Sequence, residues 1–408
     1  MTLLEYIREN FPRSIVTTAQ DEGDRFGLPY PYTVPSPGDI FDCMFYWDTH
    51  FTNVGLLADG QIQQAINNTD NIRYLIQRFG YMPNSSKRHH LGQSQPPLYY
   101  QMVSDVFDIT GDTQWLEGHY DTISKEYEFW MTNRLAPNGL NHYGNAERIY
   151  QEEEIRTRFQ YAKSRFAGLD SQDLDEMRAA VRTVAVLCES GWDCCYRFEM
   201  SGFDYNPVDL NALLYGLETC MCRFSQILNR GEVKLWQSRA EQRKEKMDRW
   251  LWSDELGFYT DWNYVSNHHS PVISCASLFP LYVGLDHDPK DLITVLKKDM
   301  MLPFGVAGTA KTDHPYTLQW EYPNVWAPLQ YVACRACMRA GETDLAKEIA
   351  TRYCKLLEYS FAETGGLWEK YNGLTGQVNN AEYASPPMLG WTAGSYLVFW
   401  HMLKNGVS

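Results

Sequence analysis

An all-α fold, with helices paired and wound about an axis into a toroid, is what the 408-residue sequence predicts. Three observations predict it. Apolar residues recur at helical spacing from about residue 60 onward, alternating strand-like runs are scarce, and long loops dense in Gly, Pro and aromatic residues separate the periodic segments. In chain order, QIQQAINNTDNIRYLIQRFG puts Ile62, Ala65, Ile66, Ile72, Leu75, Ile76 and Phe79 on one face. Comparable segments lie near 96–110, 114–133, 208–229, 233–252, 288–299 and 325–340. DLAKEIATRYCKLLEYSF follows with Leu345, Ile349, Tyr353, Leu356 and Leu357, and 388–404 closes the series.

The loops PYPYTVPSPGD, FGYMPNSS, DELGFYTDWNY, LPFGVAGTA and FAETGGLWEKYNGLTG are too aromatic to be flexible linkers. None divides two compositions, so one domain over 1–408 is expected, which includes an N-terminal segment 1–40. A rigid helical scaffold carries its site on such connections. One stretch differs: residues 150–178 are strongly charged with few large apolar side chains. It reads either as a solvated surface helix or, as an insertion near 145–180, as a cap from which Arg156 or Arg158 reaches inward.

Composition narrows the partners. A formal net charge of −15 repels phosphate backbones and anionic lipid, which argues against nucleic acid and membrane and suits a small neutral saccharide. The 13 Trp and 27 Tyr exceed what packing needs and favour a lined cavity. MTLLEYIREN has neither a basic start nor a long apolar run, so the ten cysteines are expected as free thiols in a cytoplasmic protein. Cys334 and Cys337 form a lone C-x-x-C within an apolar helical stretch, better read as buried thiols than as a metal site.

Hydrolysis of a glycosidic bond needs two carboxyl groups, one to protonate the leaving oxygen and one to act from the opposite face. Candidates are carboxylates set among aromatic loop residues: Asp48 in FYWDTHF, Asp193 in CESGWDCCYRF, Glu321 in QWEYPNVWAP, and Glu369 in GGLWEKYNGLTG followed by Glu382 in NNAEYASPP. Asp48, Asp193, Glu321 and Glu369 each adjoin tryptophan, and an acid against an apolar ring is partly desolvated, which helps it keep a proton. The tryptophans of QWEYPNVWAP read either as anchors in a core gap or as flat faces for sugar rings. A sugar epimerase on the same toroid would lean on histidines such as His50, His89, His90, His268, His269 and His314, of which His89 and His90 sit in a polar loop and read as exposed. A sugar-binding protein would need the rings but not both carboxylates.

Together SGWDCCYRF, PVDLNALLY, QWEYPNVWAPLQ, EKYNGLTGQ, FYWDTHFTNVGL and FGYMPNSS…SQPP resemble the motif set of the trehalase family of glycoside hydrolases, in the family's order from about Phe41 to Trp391. The resemblance implies an (α/α)6 barrel and hydrolysis with inversion of a small α-glucoside such as trehalose, without metal or cofactor. It implies Asp193 as the acid and Glu369 as the base. For the sugar it implies Phe41, Trp47, Asp48, Asn84, Gln93, Gln95, Arg158, Trp192, Arg197, Trp320, Glu321, Glu382 and Trp391. The chain departs from the family where PGDIF puts Ile40, and GQSQPP puts Gln93, in place of arginines. RTRFQ is at best a partial match to a third arginine block. Such losses of planar, bidentate donors bear on the leaving-group side, so another small α-glycoside, of the glucosylglycerate or mannosylglycerate kind, is the alternative substrate.

Overall fold

The computed structural model describes residues 1–406 except 39–40, 146–147, 167, 315, 317 and 380–385. Its helices are α1 (Leu3–Asn10), α2 (Tyr46–Ala58), α3 (Ile62–Phe79), α4 (Tyr99–Thr110), α5 (Thr113–Asn133), α6 (Glu152–Arg165) and α7 (Leu174–Ser190). They continue with α8 (Val208–Ile227), α9 (Val233–Trp250), α10 (Phe279–Val283), α11 (Lys290–Val295), α12 (Ala327–Arg339), α13 (Thr343–Thr364) and α14 (Gly390–Asn405).

Six of these close a ring, with α2 against α4, α4 against α8, α8 against α10, α10 against α12, α12 against α14, and α14 back against α2. Helix α3 packs against α2 and α4, α5 against α4 and α8, α9 against α8, and α13 against α12 and α14. This is the (α/α)6 barrel that the sequence predicts. One apolar core runs through it from Leu3 to Phe399.

Of the six ring helices, α2 and α10 lie outside the periodic segments read from the sequence. Helix α2 buries Tyr46, Trp47 and every residue from Thr49 to Leu56, so it has no polar face to set a phase. Its contact with α14 is made backbone to backbone: a Cβ on Gly55 would lie 2.2 Å from Gly394 Cα, and one on Gly394 would lie 2.2 Å from the Phe51 carbonyl oxygen. Only glycine permits that approach. The charged stretch folds as α6, which pairs with α7. Three glutamates open α6 and basic residues close it, complementing the helix dipole.

Candidate active site

Five loops deliver side chains to one end of the ring, each just before or at the start of a ring helix. Trp47 and Asp48 occupy the first turn of α2. Gln95 precedes α4, Asp193 follows α7 on the way to α8, Trp320 and Trp326 precede α12, and Trp391 lies in the first turn of α14. The QWEYPNVWAP block answers for its rigidity here. Asn324–Trp326 pairs antiparallel with Lys370–Asn372, with Trp326 opposite Lys370, so the aromatic block is zipped to the segment that carries Glu369.

The result is a cavity of about 80 Å³, lined among others by Phe41, Trp47, Asp48, Gln95, Asp193, Trp320, Glu369 and Trp391. Trp320 and Trp326 stack 3.8 Å apart and 5° from parallel, and Trp47 and Trp391 meet nearly edge to face at 6.1 Å. Gly191 makes the approach of Asp193 to the pocket possible. It ends α7 in the left-handed region at φ 78°, and a Cβ there would sit 2.6 Å from the Trp47 ring. Any other residue would push Trp47 aside or lift Asp193 away.

A second, wider cavity of about 520 Å³ shares Phe41, Phe45, Gln95 and Asp193 with the first and adds Asn84, His90, Gln93, Tyr161, Arg165 and Cys188. Asp193 therefore lies on the boundary between a tight aromatic pocket and an open polar one, where an acid can reach an oxygen joining two groups. Glu369 opens only onto the tight pocket, with the buried Lys370 ammonium 3.4 Å from its carboxylate and 2.9 Å from Gln319 Oε1.

Asp48 is the third carboxyl of the pocket. Burial and the nearby charges of Glu369 and Asp193 push its pKa up to about 8, so it holds a proton at neutrality. In the unfolded chain it titrates near 3.8. Folding therefore retains a proton that the unfolded chain loses, and stability from this group is complete below about pH 4 and lost as pH rises through about 8. Thermal unfolding should show this: Asp48→Asn, permanently neutral, gains on the parent as pH is raised from 5 to 8. A gap that stays constant with pH would contradict the assignment.

Several residues expected at the site lie elsewhere. Arg158 points away and pairs with Glu154 at 2.8 Å, half exposed, while Arg156 pairs with Glu152. The arginine that α6 does present is Arg165, one helix end further on; burial works against its guanidinium, but Tyr161 and Asp193 raise its pKa. Arg197 is wholly buried between Asp209 and Asp261 and covers the Trp192 ring at 4.5 Å, so it holds the scaffold and does not face the cavity. Trp192 is itself buried behind the wall, stacked on Trp320 at 5.5 Å. Glu321 turns outward to accept from the Tyr196 amide at 2.5 Å and pair with His314 at 2.6 Å. Glu382 and Ile40 fall outside the described residues.

Sequence reasoning also missed His90. It lines the wider cavity, with Nδ1 2.5 Å from Ser85 Oγ, and burial, helped by the charges of His89 and Lys87, lowers its pKa to about 4. His89 alone is exposed, paired to Asp24. Cys334 and Cys337 are buried thiols in α12. A neutral His90 gives the wider cavity another uncharged hydrogen-bonding group beside Asn84, Gln93 and Gln95.

An (α/α)6 barrel whose aromatic pocket holds three carboxyls, one of them at the edge of a second cavity, has the architecture of a glycoside hydrolase. Comparison with known proteins supplies the family: the chain matches the trehalase family over residues 5–404 and belongs to it. A periplasmic trehalase of Xanthomonas campestris pv. campestris (strain 8004) is 31% identical over 428 residues, covering 99% of this chain and 74% of the relative. One from Xanthomonas oryzae pv. oryzae is 32% identical, covering 91% and 68%. Among solved structures, neutral trehalase from Saccharomyces cerevisiae superimposes with a TM-score of 0.76 at 24% identity, over 98% of this chain and 80% of that one. A mannosylglycerate hydrolase from Thermus thermophilus in complex with glucose gives 0.69 at 17% identity, over 98% and 100%. These two share the fold.

The cytoplasmic location expected from the sequence is overturned, because the curated relatives at 31–32% identity are periplasmic trehalases. The composition of the first ten residues is no guide to compartment here. No helix among the described residues is long and apolar enough to cross a membrane.

Proposed function

We propose that this chain hydrolyses a small α-linked glucoside, with trehalose the foremost candidate, and inverts the anomeric carbon by paired acid and base action. The observation that carries the reading is that Asp193 and Glu369 line one tryptophan-walled pocket, with Asp193 at its border with the wider cavity. The glucose to be released occupies the tight pocket against Trp47, Trp320 and Trp391, with Asp48 and Gln95 taking hydroxyls. The leaving group occupies the wider cavity among Asn84, His90, Gln93 and Arg165. Asp193 gives its proton to the glycosidic oxygen, and Glu369, ionised beside Lys370, deprotonates a water on the other ring face. The chain acts as one catalytic domain in which the α6–α7 pair forms a wall of the leaving-group side.

The uncharged Gln93, where the family carries an arginine, favours a second reading in which the leaving group is not glucose. One experiment addresses both. The protein is incubated with trehalose, glucosylglycerate, mannosylglycerate and a panel of α-linked disaccharides, and the first product anomer is followed by NMR. The expected result is that the glycosyl unit attacked by water appears as the β-anomer, and the substrate turned over fastest identifies the leaving group. Inversion of trehalose gives α- and β-glucose in equal amounts, because the departing glucose keeps its α configuration; α-anomer alone would reject inversion, and no hydrolysis across the panel would reject the enzyme reading.

A further inference from the structure

Four residues before Asp193, in the last turn of α7, Glu189 is wholly buried and touches neither cavity. Arg134 grips it with two parallel bonds, Nε to Oε2 at 2.9 Å and Nη2 to Oε1 at 2.8 Å, and is itself only 2% exposed. The same two oxygens accept the Ser94 amide at 2.7 Å and the Gly144 amide. Burial works against the charge, but Arg134 and the two amides more than offset it and hold Glu189 ionised.

What this carboxylate joins is specific. Ser94 stands between Gln93 and Gln95, which line the cavities, and Gln95 Oε1 accepts the Trp47 amide at 3.0 Å. Asn84 donates to the Ser94 and Cys188 carbonyls, both at 3.1 Å, and so bridges the same loop to the same helix end. Arg134 Nη2 adds a bond to the Gly92 carbonyl at 3.3 Å. The sugar-binding loop 84–95 and the helix end that launches Asp193 are thus fastened to each other through one ion pair. Bidentate Arg–carboxylate geometry fixes orientation as well as distance.

We infer that Glu189 is a positioning residue for hydrolysis: clamped by Arg134, it sets the acid Asp193 relative to the loop that holds the leaving group. The inference rests on the reading of Asp193 as the proton donor. A group that acts in this way affects proton delivery more than sugar binding, and that separates it from one that merely keeps the chain folded. Displacement of a reacting group by about 1 Å can cost on the order of 10²-fold in rate.

The test compares two substrates in Glu189→Gln: the disaccharide, whose leaving oxygen needs a proton, and α-glucosyl fluoride, whose leaving fluoride needs little help. Expected is a fall of about 10²-fold in kcat for the disaccharide, with KM little changed and fluoride turnover near that of the parent. An equal fall on both substrates, or no fall on either, overturns the inference. Should Glu189→Gln not fold, the double variant Arg134→Gln/Glu189→Gln, which leaves no lone buried charge, is read by the same criterion. Asp193→Asn run alongside separates the two failures. If it loses disaccharide turnover selectively while the Glu189 variants do not, only the positioning role fails. If it hydrolyses the disaccharide normally, the acid assignment fails with it.

Discussion

Replacing Asp193, the proposed proton donor, with Asn should stop hydrolysis of unactivated α-glucosides while leaving the sugar bound. The amide occupies nearly the same volume, so Gly191 still carries the chain past Trp47 and the pocket keeps its tryptophan walls. What disappears is the acidic proton at the border of the two cavities. General acid assistance contributes on the order of 10²–10⁴-fold, and kcat should fall by at least that much on a disaccharide. Calorimetric titration with product glucose should give an affinity close to the parent's. A variant that turned over the disaccharide at near-normal rate would exclude Asp193 as the acid, however well the rest of the pocket suited a sugar.

Glu369→Gln should cost kcat a similar factor, on the order of 10²–10⁴-fold, for a different reason. The amide can still hold a water but cannot take its proton, so attack slows and departure of the leaving group is unaided from the far side. Azide needs no deprotonation before it attacks. Added azide should therefore restore glycosidic cleavage in Glu369→Gln and yield the β-glucosyl azide, while Asp193→Asn gains nothing comparable on the disaccharide. Lys370 would keep its bond to Gln319 Oε1 at 2.9 Å, so the backbone of Lys370–Asn372 opposite Trp326 stays in register. Absence of azide rescue, with the chain still folded, would remove Glu369 from the base role.

These residues were legible in the sequence because each combines two local signals, a carboxyl and a neighbouring tryptophan in a loop that helical periodicity cannot absorb. The helices with one wet face, such as α3 and α13, were legible for the complementary reason. Helix α2 was not: it is buried on nearly every side and its composition has no phase. Orientation of a side chain was harder still. Glu321 and Trp320 are adjacent in one motif, yet the turn sends the ring into the pocket and the carboxylate to His314. Arg158 and Arg165 are seven residues apart on α6 and so share nearly one face. Two turns at 1.5 Å per residue separate them by about 10 Å, and only the later one reaches Asp193's cavity. Spacing fixes the face of a helix and leaves its height above the ring to tertiary packing. Arg197 shows the other limit: an arginine near an acid motif reads as a sugar ligand until Asp209 and Asp261 are seen to enclose it.

The near-parallel indoles of Trp320 and Trp326 have an optical consequence. At 3.8 Å and 5° their electronic transitions couple, so the pair absorbs and emits as one chromophore instead of two. Trp391, edge-on to Trp326 at 5.9 Å, carries that chromophore to the lining of the pocket where glucose would rest. The near-ultraviolet dichroism and the emission of the native chain are thus an intrinsic gauge of occupancy, readable without a dye, a label or turnover.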